Sequence, residues 1–330
     1  MKKIPLSILD LVVVKQGGNA QSAIQETVRF AQHAEQLGFE RFWMSEHHNM
    51  ANIASAATSV LIGHVAGHTK TIRVGSGGIM LPNHSPLVIA EQFGTLATLY
   101  PHRIDLGLGR APGTDQNTAM ALRRNAKDVS MAFPSDVKQL QTYFSPENHT
   151  AAVRAFPAEG LDVPLWILGS STDSAYLAAQ MGLPYAFAAH FAPAQFRPAI
   201  AIYRNNFKPS KQLSKPYVMA CVNVIGAETN AQAQHHATSL VRMFTGIVTN
   251  ARSPLQPAGD LPDSYQIPEV RAMVEQMLAC TFIGDQATLR ENLSGFIATT
   301  NIDELMVTSY LYDEKAKFNS LSILKDALEE

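Results

Sequence analysis

The chain has 330 residues, 46% of them hydrophobic and 16% charged, with a formal net charge of -2. That balance offers no electrostatic case for nucleic acid or an anionic membrane surface, and no apolar run reaches the ~18 residues of a membrane helix. Its two cysteines, Cys221 and Cys280, lie far apart in apolar surroundings, which suits reduced thiols better than a disulfide framework or a zinc site and makes a cytoplasmic setting the expectation.

Residues 4–14 form an apolar run interrupted by Asp10. With no small-residue cleavage site after it, the run reads as a first strand rather than a signal peptide. A helix follows over 22–37, where Ile24, Val28, Ala31, Ala34 and Leu37 fall at helical spacing before Gly38. A second strand, 39–45, ends in Glu46-His47-His48-Asn49 and leads to a helix over 53–69. That helix carries small residues (Ala54, Ala56, Ala57, Gly63, Ala66, Gly67), which suit either tight internal packing or the interface of a homodimer. Strand three covers 71–81, and Ser85-Pro86 opens the third helix with a capping hydroxyl and a proline at the first helical position. Strand four, in the stretch RIDLGLGRAPG, ends in Arg110.

Residues 114–161 exceed one loop and one helix and imply an insertion, with a helix near 135–143. Strand five (163–169), a helix (172–181), strand six (184–188), a helix (193–207), strand seven (217–225) and a long helix (229–248) follow. Residues 252–268 contain Pro254, Pro257, Pro262 and Pro268 and read as an extended surface loop able to act as a lid. Helices near 269–279 and 287–299, strand eight (304–309) and a helix over 313–328 complete the chain. Eight strands, each followed by helical material, predict an α/β fold. The expected form is a single (β/α)8 TIM barrel domain spanning 1–330, with insertions after strands four and seven.

In such a barrel the chemistry sits at the carboxyl ends of the strands. Strand one offers residues 7–10 there, strand two Glu46-His47-His48, strand three Gly77-Gly78, strand four Arg110, and strand five Gly169-Ser170-Ser171 with Ser174 just beyond. Serines opening a helix read either as an ordinary N-cap or as an anion site, and Arg110 either as the partner of a structural carboxylate or as the second half of a phosphate clamp. Gly77-Gly78 reads as a bulge or as backbone bared to a ligand. Adjacent histidines point to opposite faces if they are still on the strand, so one of His47 and His48 is then expected to face the pocket, as a proton-handling group or a simple hydrogen-bonding one. No H-E-x-x-H or comparable spacing supplies a metal site.

Together these segments resemble the bacterial luciferase-like flavin monooxygenases, closest to their single-chain, non-luminescent, alkanal-monooxygenase-like members. The resemblance is carried by FWMSEHHN, IRVGSGGIMLPNHSPLVIAEQFGTL, RIDLGLGRAPG and VPLWILGSSTDSAYLAAQMGLP, with a fainter echo in FIGDQATLRENL and NIDELMV. It implies a barrel that takes reduced FMN from a separate reductase and oxidises a small organic substrate with O2 through a flavin peroxy adduct. By the same likeness Arg110, Gly169, Ser170, Ser171 and Ser174 surround the flavin phosphate, Gly77-Gly78 supplies a non-prolyl cis peptide against the ring, and His47 is the catalytic histidine. Homodimerisation is also implied. Gly109 stands where the light-emitting subunit has a reactive cysteine, and Ser170 where it has a carboxylate, so light emission is not expected. A deazaflavin-dependent dehydrogenase of the same fold and a non-catalytic flavin-binding protein are the alternatives.

Overall fold

A computed structural model describes residues 3–111, 115–122 and 129–329. In chain order the first half comprises β1 (Leu6–Asp10), α1 (Ala20–Gln36), β2 (Arg41–Met44), α2 (Thr58–His68), β3 (Arg73–Met80), α3 (Pro86–Leu99), β4 (Ile104–Gly109), α4 (Gln116–Leu122) and α5 (Val129–Phe144). The second comprises β5 (Leu165–Gly169), α6 (Thr172–Met181), β6 (Tyr185–Phe187), α7 (Phe196–Asn206), β7 (Val218–Gly226), α8 (Asn230–Val248), α9 (Pro268–Met277), β8 (Thr281–Gly284), α10 (Gln286–Thr300), β9 (Glu304–Thr308) and α11 (Glu314–Glu329).

The strands are ordered β6-β5-β4-β3-β2-β1-β9-β7, and a β6–β7 pairing closes the ring into an eight-stranded parallel barrel. Alternation along each strand explains its apolar run. Ile8, Phe42, Val74, Leu106, Ile167 and Val222 point outward into the layer shared with the helices. Leu9, Trp43, Trp166, Ala186, Met219 and Met306 point inward and pack against one another. At the amino end the lumen is filled instead by a buried polar lattice. Arg41 donates to Glu304 and Asp105, Trp43 donates to Asp105, and Tyr217 donates to Glu304.

Several expectations need correction. The segment 269–299 contains a strand that the sequence reading missed: β8 pairs in parallel with Asn223–Gly226, starting at the last β7 residue that pairs with β9. Four residues, three of them half-buried, are too short for an alternation to register. The helix expected over 53–69 starts only at Thr58, because Ile53 bridges Val13 and the Ala54 amide donates to Val12. Two of the small residues of that helix serve internal packing, one of the two readings offered: a Cβ on Gly63 would lie 3.2 Å from Leu96 of α3 and one on Gly67 3.0 Å from the Tyr100 hydroxyl. Ser85 does hold the N-cap of α3, but its hydroxyl makes no capping bond. Asp10 turns from the barrel mouth toward the helices and accepts from Thr27 at 2.6 Å. The proline-rich loop is stitched down at Leu255, whose amide and carbonyl pair with Val14 and Gln16.

Candidate active site

At the carboxyl end of the barrel, β2 stops at Met44, so strand alternation no longer governs the two histidines. Both border a cavity of about 680 Å³ that also touches Asn49, Asp115, Arg252 and Pro254. The one-face expectation held for histidines on the strand and does not apply to these two, and their roles differ. His48 directs Nε2 to Glu46 Oε1 at 2.8 Å, and His84, after β3, directs its own Nε2 to the same oxygen at 2.9 Å.

Glu46 is the hub of this wall. It is 1% exposed, and its second carboxylate oxygen accepts from the Met80 amide at 3.0 Å. Burial works to raise its pKa, but the contacts with His84, His48 and the Met80 amide outweigh it and hold the carboxyl below its ordinary value. Among the described residues, Glu46, His48 and His84 are the one trio of potential metal ligands close enough to share an ion, with ligand atoms within 4.8 Å. Both imidazoles bond directly to the carboxylate, an arrangement that fixes ring orientation without an ion. The sequence reading places Glu46 at the strand end but gives a role to His47 alone, and it overlooks His84. The strand-end rule applied to Asn83-His84 was the signal that could have found the latter.

On β3 the Gly77–Gly78 bond is cis, and the β3–β4 register shifts between Ser76 and Ile79. Side chains are excluded here by the barrel itself: a Cβ on Gly77 would sit 2.5 Å from Leu9 Cδ1, and one on Gly78 2.7 Å from the Gly107 carbonyl.

Arg110 follows β4 and reaches the first turn of α6, where its Nη2 lies 3.5 Å from Asp173 Oδ2. Its side chain is 43% exposed, so guanidinium donors remain open to solvent. Ser171 is the N-cap of α6 but makes no side-chain cap, and the Thr172 amide donates to Gln195 at 3.1 Å. Ser170 and Ser171 are half-exposed. Ser174 is turned into the protein, where Oγ donates to the Ser171 carbonyl at 2.7 Å and lies 2.9 Å from the Tyr185 hydroxyl. Gly169 is the small residue that admits it, since a Cβ there would overlap Ser174 Oγ. The expected serine group therefore divides: Ser170 and Ser171 stay partly exposed at the α6 N-terminus, whose first turn Arg110 reaches, while Gly169 and Ser174 shape the turn there. The segment Pro112-Gly113, which closes the strand-four motif, lies outside the described residues.

A closed parallel α/β barrel with its titratable groups and an arginine gathered at the strands' carboxyl ends has the layout of a barrel enzyme. The sequence model of the luciferase-like monooxygenases matches residues 4–300, and the chain belongs to that family of oxidoreductases. It is 47% identical over 329 residues to a luciferase-like monooxygenase of Escherichia coli K12, covering 100% of this chain and 98% of that one. It is 50% identical over 322 residues to the uncharacterized protein YvbT of Bacillus subtilis 168, covering 97% and 96% of the two chains. The crystal structure of apo-MsnO8 superposes with a TM-score of 0.91 at 32% identity, covering 99% of this chain and 98% of the other. Among the described residues no helix is long and apolar enough to cross a membrane.

Proposed function

We propose that this chain is a flavin-dependent monooxygenase that takes reduced FMN from a separate reductase and oxidises a small organic substrate with O2. Within its family, the observation that carries the cofactor reading is the approach of Arg110 to the N-terminus of α6 beside half-exposed Ser170 and Ser171. An always-charged fork, two hydroxyls and the positive end of a ten-residue helix form a donor set that fits a phosphate.

Arg110, Ser170 and Ser171 would hold that phosphate, with Gly169 and Ser174 shaping the turn that presents them. The Gly77–Gly78 peptide would support the ring. Bound reduced FMN would supply the oxygen chemistry, and the chain's share is to orient, to exclude water and to handle protons. His47, on the cavity wall, is the residue assigned to proton transfer. Glu46 holds His48 and His84 in place around it.

Anaerobic titration with reduced FMN, followed by mixing with oxygenated buffer, tests the reading. Saturable binding and reoxidation at a rate distinct from free flavin support it, with His47→Ala binding FMN normally but changing that rate. Binding of a deazaflavin in place of FMN would replace the assignment with a dehydrogenase of the same fold. Binding of FMN with reoxidation at the free rate would leave a flavin-binding protein.

A further inference from the structure

His190 lies three residues beyond the end of β6, in the turn that leaves the strand. It is 6% exposed. Its main chain is fixed, since the Asn223 side-chain amide donates to the His190 carbonyl at 2.6 Å and Asn223 is itself held by Thr308. The ring packs edge-on against Phe191, with centroids 4.9 Å apart. The main chain of Cys221 works to raise the ring's pKa, the effect of a carbonyl that faces a ring N–H. The other nitrogen, Nδ1, is buried and has no hydrogen-bond partner among the described residues.

An unpartnered Nδ1 and a main chain that favours a ring N–H point to one tautomer. The hydrogen sits on Nε2, facing Cys221, and Nδ1 keeps a lone pair. Burial, with His47 nearby as the smaller cause, pushes the pKa down to about 3, so the ring is neutral at physiological pH. Its place at the barrel's carboxyl end is set by Asn223, which follows lumen residue Cys221 by two positions on β7 and bonds both the His190 carbonyl and Thr308 at the end of β9. A buried, desolvated acceptor without a donor is costly, and the cost is recovered when a bound molecule brings an N–H or O–H to it.

We propose that His190 Nδ1 accepts a hydrogen bond from an N–H or O–H donor on the molecule held at the barrel mouth, making His190 a specificity residue of that site. The proposal rests on reading the mouth as the flavin and substrate site. Two sources carry the required donor: the imide N–H of a flavin ring, and a hydroxyl or amide of the organic substrate. A ligand that turns a lone pair toward Nδ1 is disfavoured, which gives the site a preference for donors over isosteric ethers or esters.

The test uses the full chain labelled with 15N-histidine and two matched ligand pairs. FMN is compared with 3-methyl-FMN, which lacks the imide hydrogen, and octan-1-ol with 1-methoxyheptane, an aliphatic pair suited to the Met219, Cys221 and Met306 surface of the lumen. His190→Gln retains an amide able to donate to the Cys221 main chain but has no acceptor at the δ position; His190→Asn retains that acceptor. Loss of a resonance in either variant identifies the His190 signal.

The Nδ1 resonance is expected to move upfield with FMN and not 3-methyl-FMN if the flavin is the source, or with the alcohol and not the ether if the substrate is. Affinity for the responding ligand should fall about two- to tenfold in His190→Gln and recover in His190→Asn. An Nδ1 signal that responds to neither donor, or a folded His190→Gln that binds both donors as the wild type does, overturns the proposal. Failure of the wild type to bind FMN would overturn the flavin reading alone, because the alcohol and ether test His190 without flavin.

Discussion

Arg41 and Glu304 are joined by a two-pronged ion pair inside the barrel, with Nε 2.7 Å from Oε1 and Nη2 3.1 Å from Oε2. The residues lie 263 positions apart, on β2 and β9, so the pair ties the first quarter of the chain to its last barrel strand across β1. Burial opposes the arginine's charge, but Glu304 and Asp105 more than restore it and raise its pKa. Replacing Glu304 with Gln leaves that cation buried with one anionic partner fewer. The expected loss is about 3–5 kcal/mol of unfolding free energy, read from urea denaturation. A loss below 1 kcal/mol would show that the lattice fills space without fastening the barrel.

Glu46 makes a second prediction, through pH. Its folded pKa is held below the ordinary 4.5, so the native state binds fewer protons than the unfolded chain as pH falls past that value. The contribution is fully present above about pH 4.5 and is lost as pH drops through the folded pKa. Glu46→Gln should remove that part of the acid dependence and cost about 1–3 kcal/mol at neutral pH, since two imidazoles and the Met80 amide lose a charged acceptor. Urea melts at pH 7 and pH 4 for both proteins check the sign. Parallel acid dependence in the two would assign the acid sensitivity elsewhere.

How far the sequence reveals this molecule depends on the range of each signal. Barrel strands such as Ile104–Gly109 announce themselves because both faces are buried, and Arg110 stands out as the first charge after the apolar Leu106–Gly109. The meeting of Arg110 with the α6 N-terminus was legible too, since consecutive strands of a barrel are neighbours. What the sequence hides is orientation. Ser170 and Ser174 look alike in the string, yet one is half-exposed while the other is spent on the Ser171 carbonyl. Glu304 reads as an ordinary strand-edge acid, and His190 as one residue after an alanine-rich strand. Their significance comes from partners more than 30 positions away.

Arg110 and Asp173 make opposing predictions for the cofactor. Arg110→Ala should weaken FMN binding about 10- to 100-fold, the span of one to two charge-assisted bonds, while leaving riboflavin, which has no phosphate, unaffected. Asp173, 3.5 Å from the guanidinium, competes with a phosphate for it and adds negative charge at the helix end, so Asp173→Asn should tighten FMN about two- to fivefold. Fluorescence titration with both flavins checks the pair. Equal losses for FMN and riboflavin in Arg110→Ala would place the arginine away from the phosphate.

Gly169 and Ser174 offer a test of the turn beneath that site by double substitution. A Cβ at Gly169 would stand 1.9 Å from Ser174 Oγ and 2.4 Å from its Cβ, closer than any packing permits, so Gly169→Ala must push α6 away from β5. Overpacking of this kind costs about 1–3 kcal/mol, and because α6 presents Ser171 beside Arg110 it should weaken FMN binding as well. Ser174→Gly removes both colliding atoms but forfeits the bonds to Ser171 and Tyr185. The double variant Gly169→Ala/Ser174→Gly should then be more stable than the two single losses add up to, by about 1 kcal/mol or more, since residues in direct contact are not additive. Additive losses in urea melts would mean that α6 moves freely at this turn, and the fixed presentation of Ser170 and Ser171 would have to be abandoned.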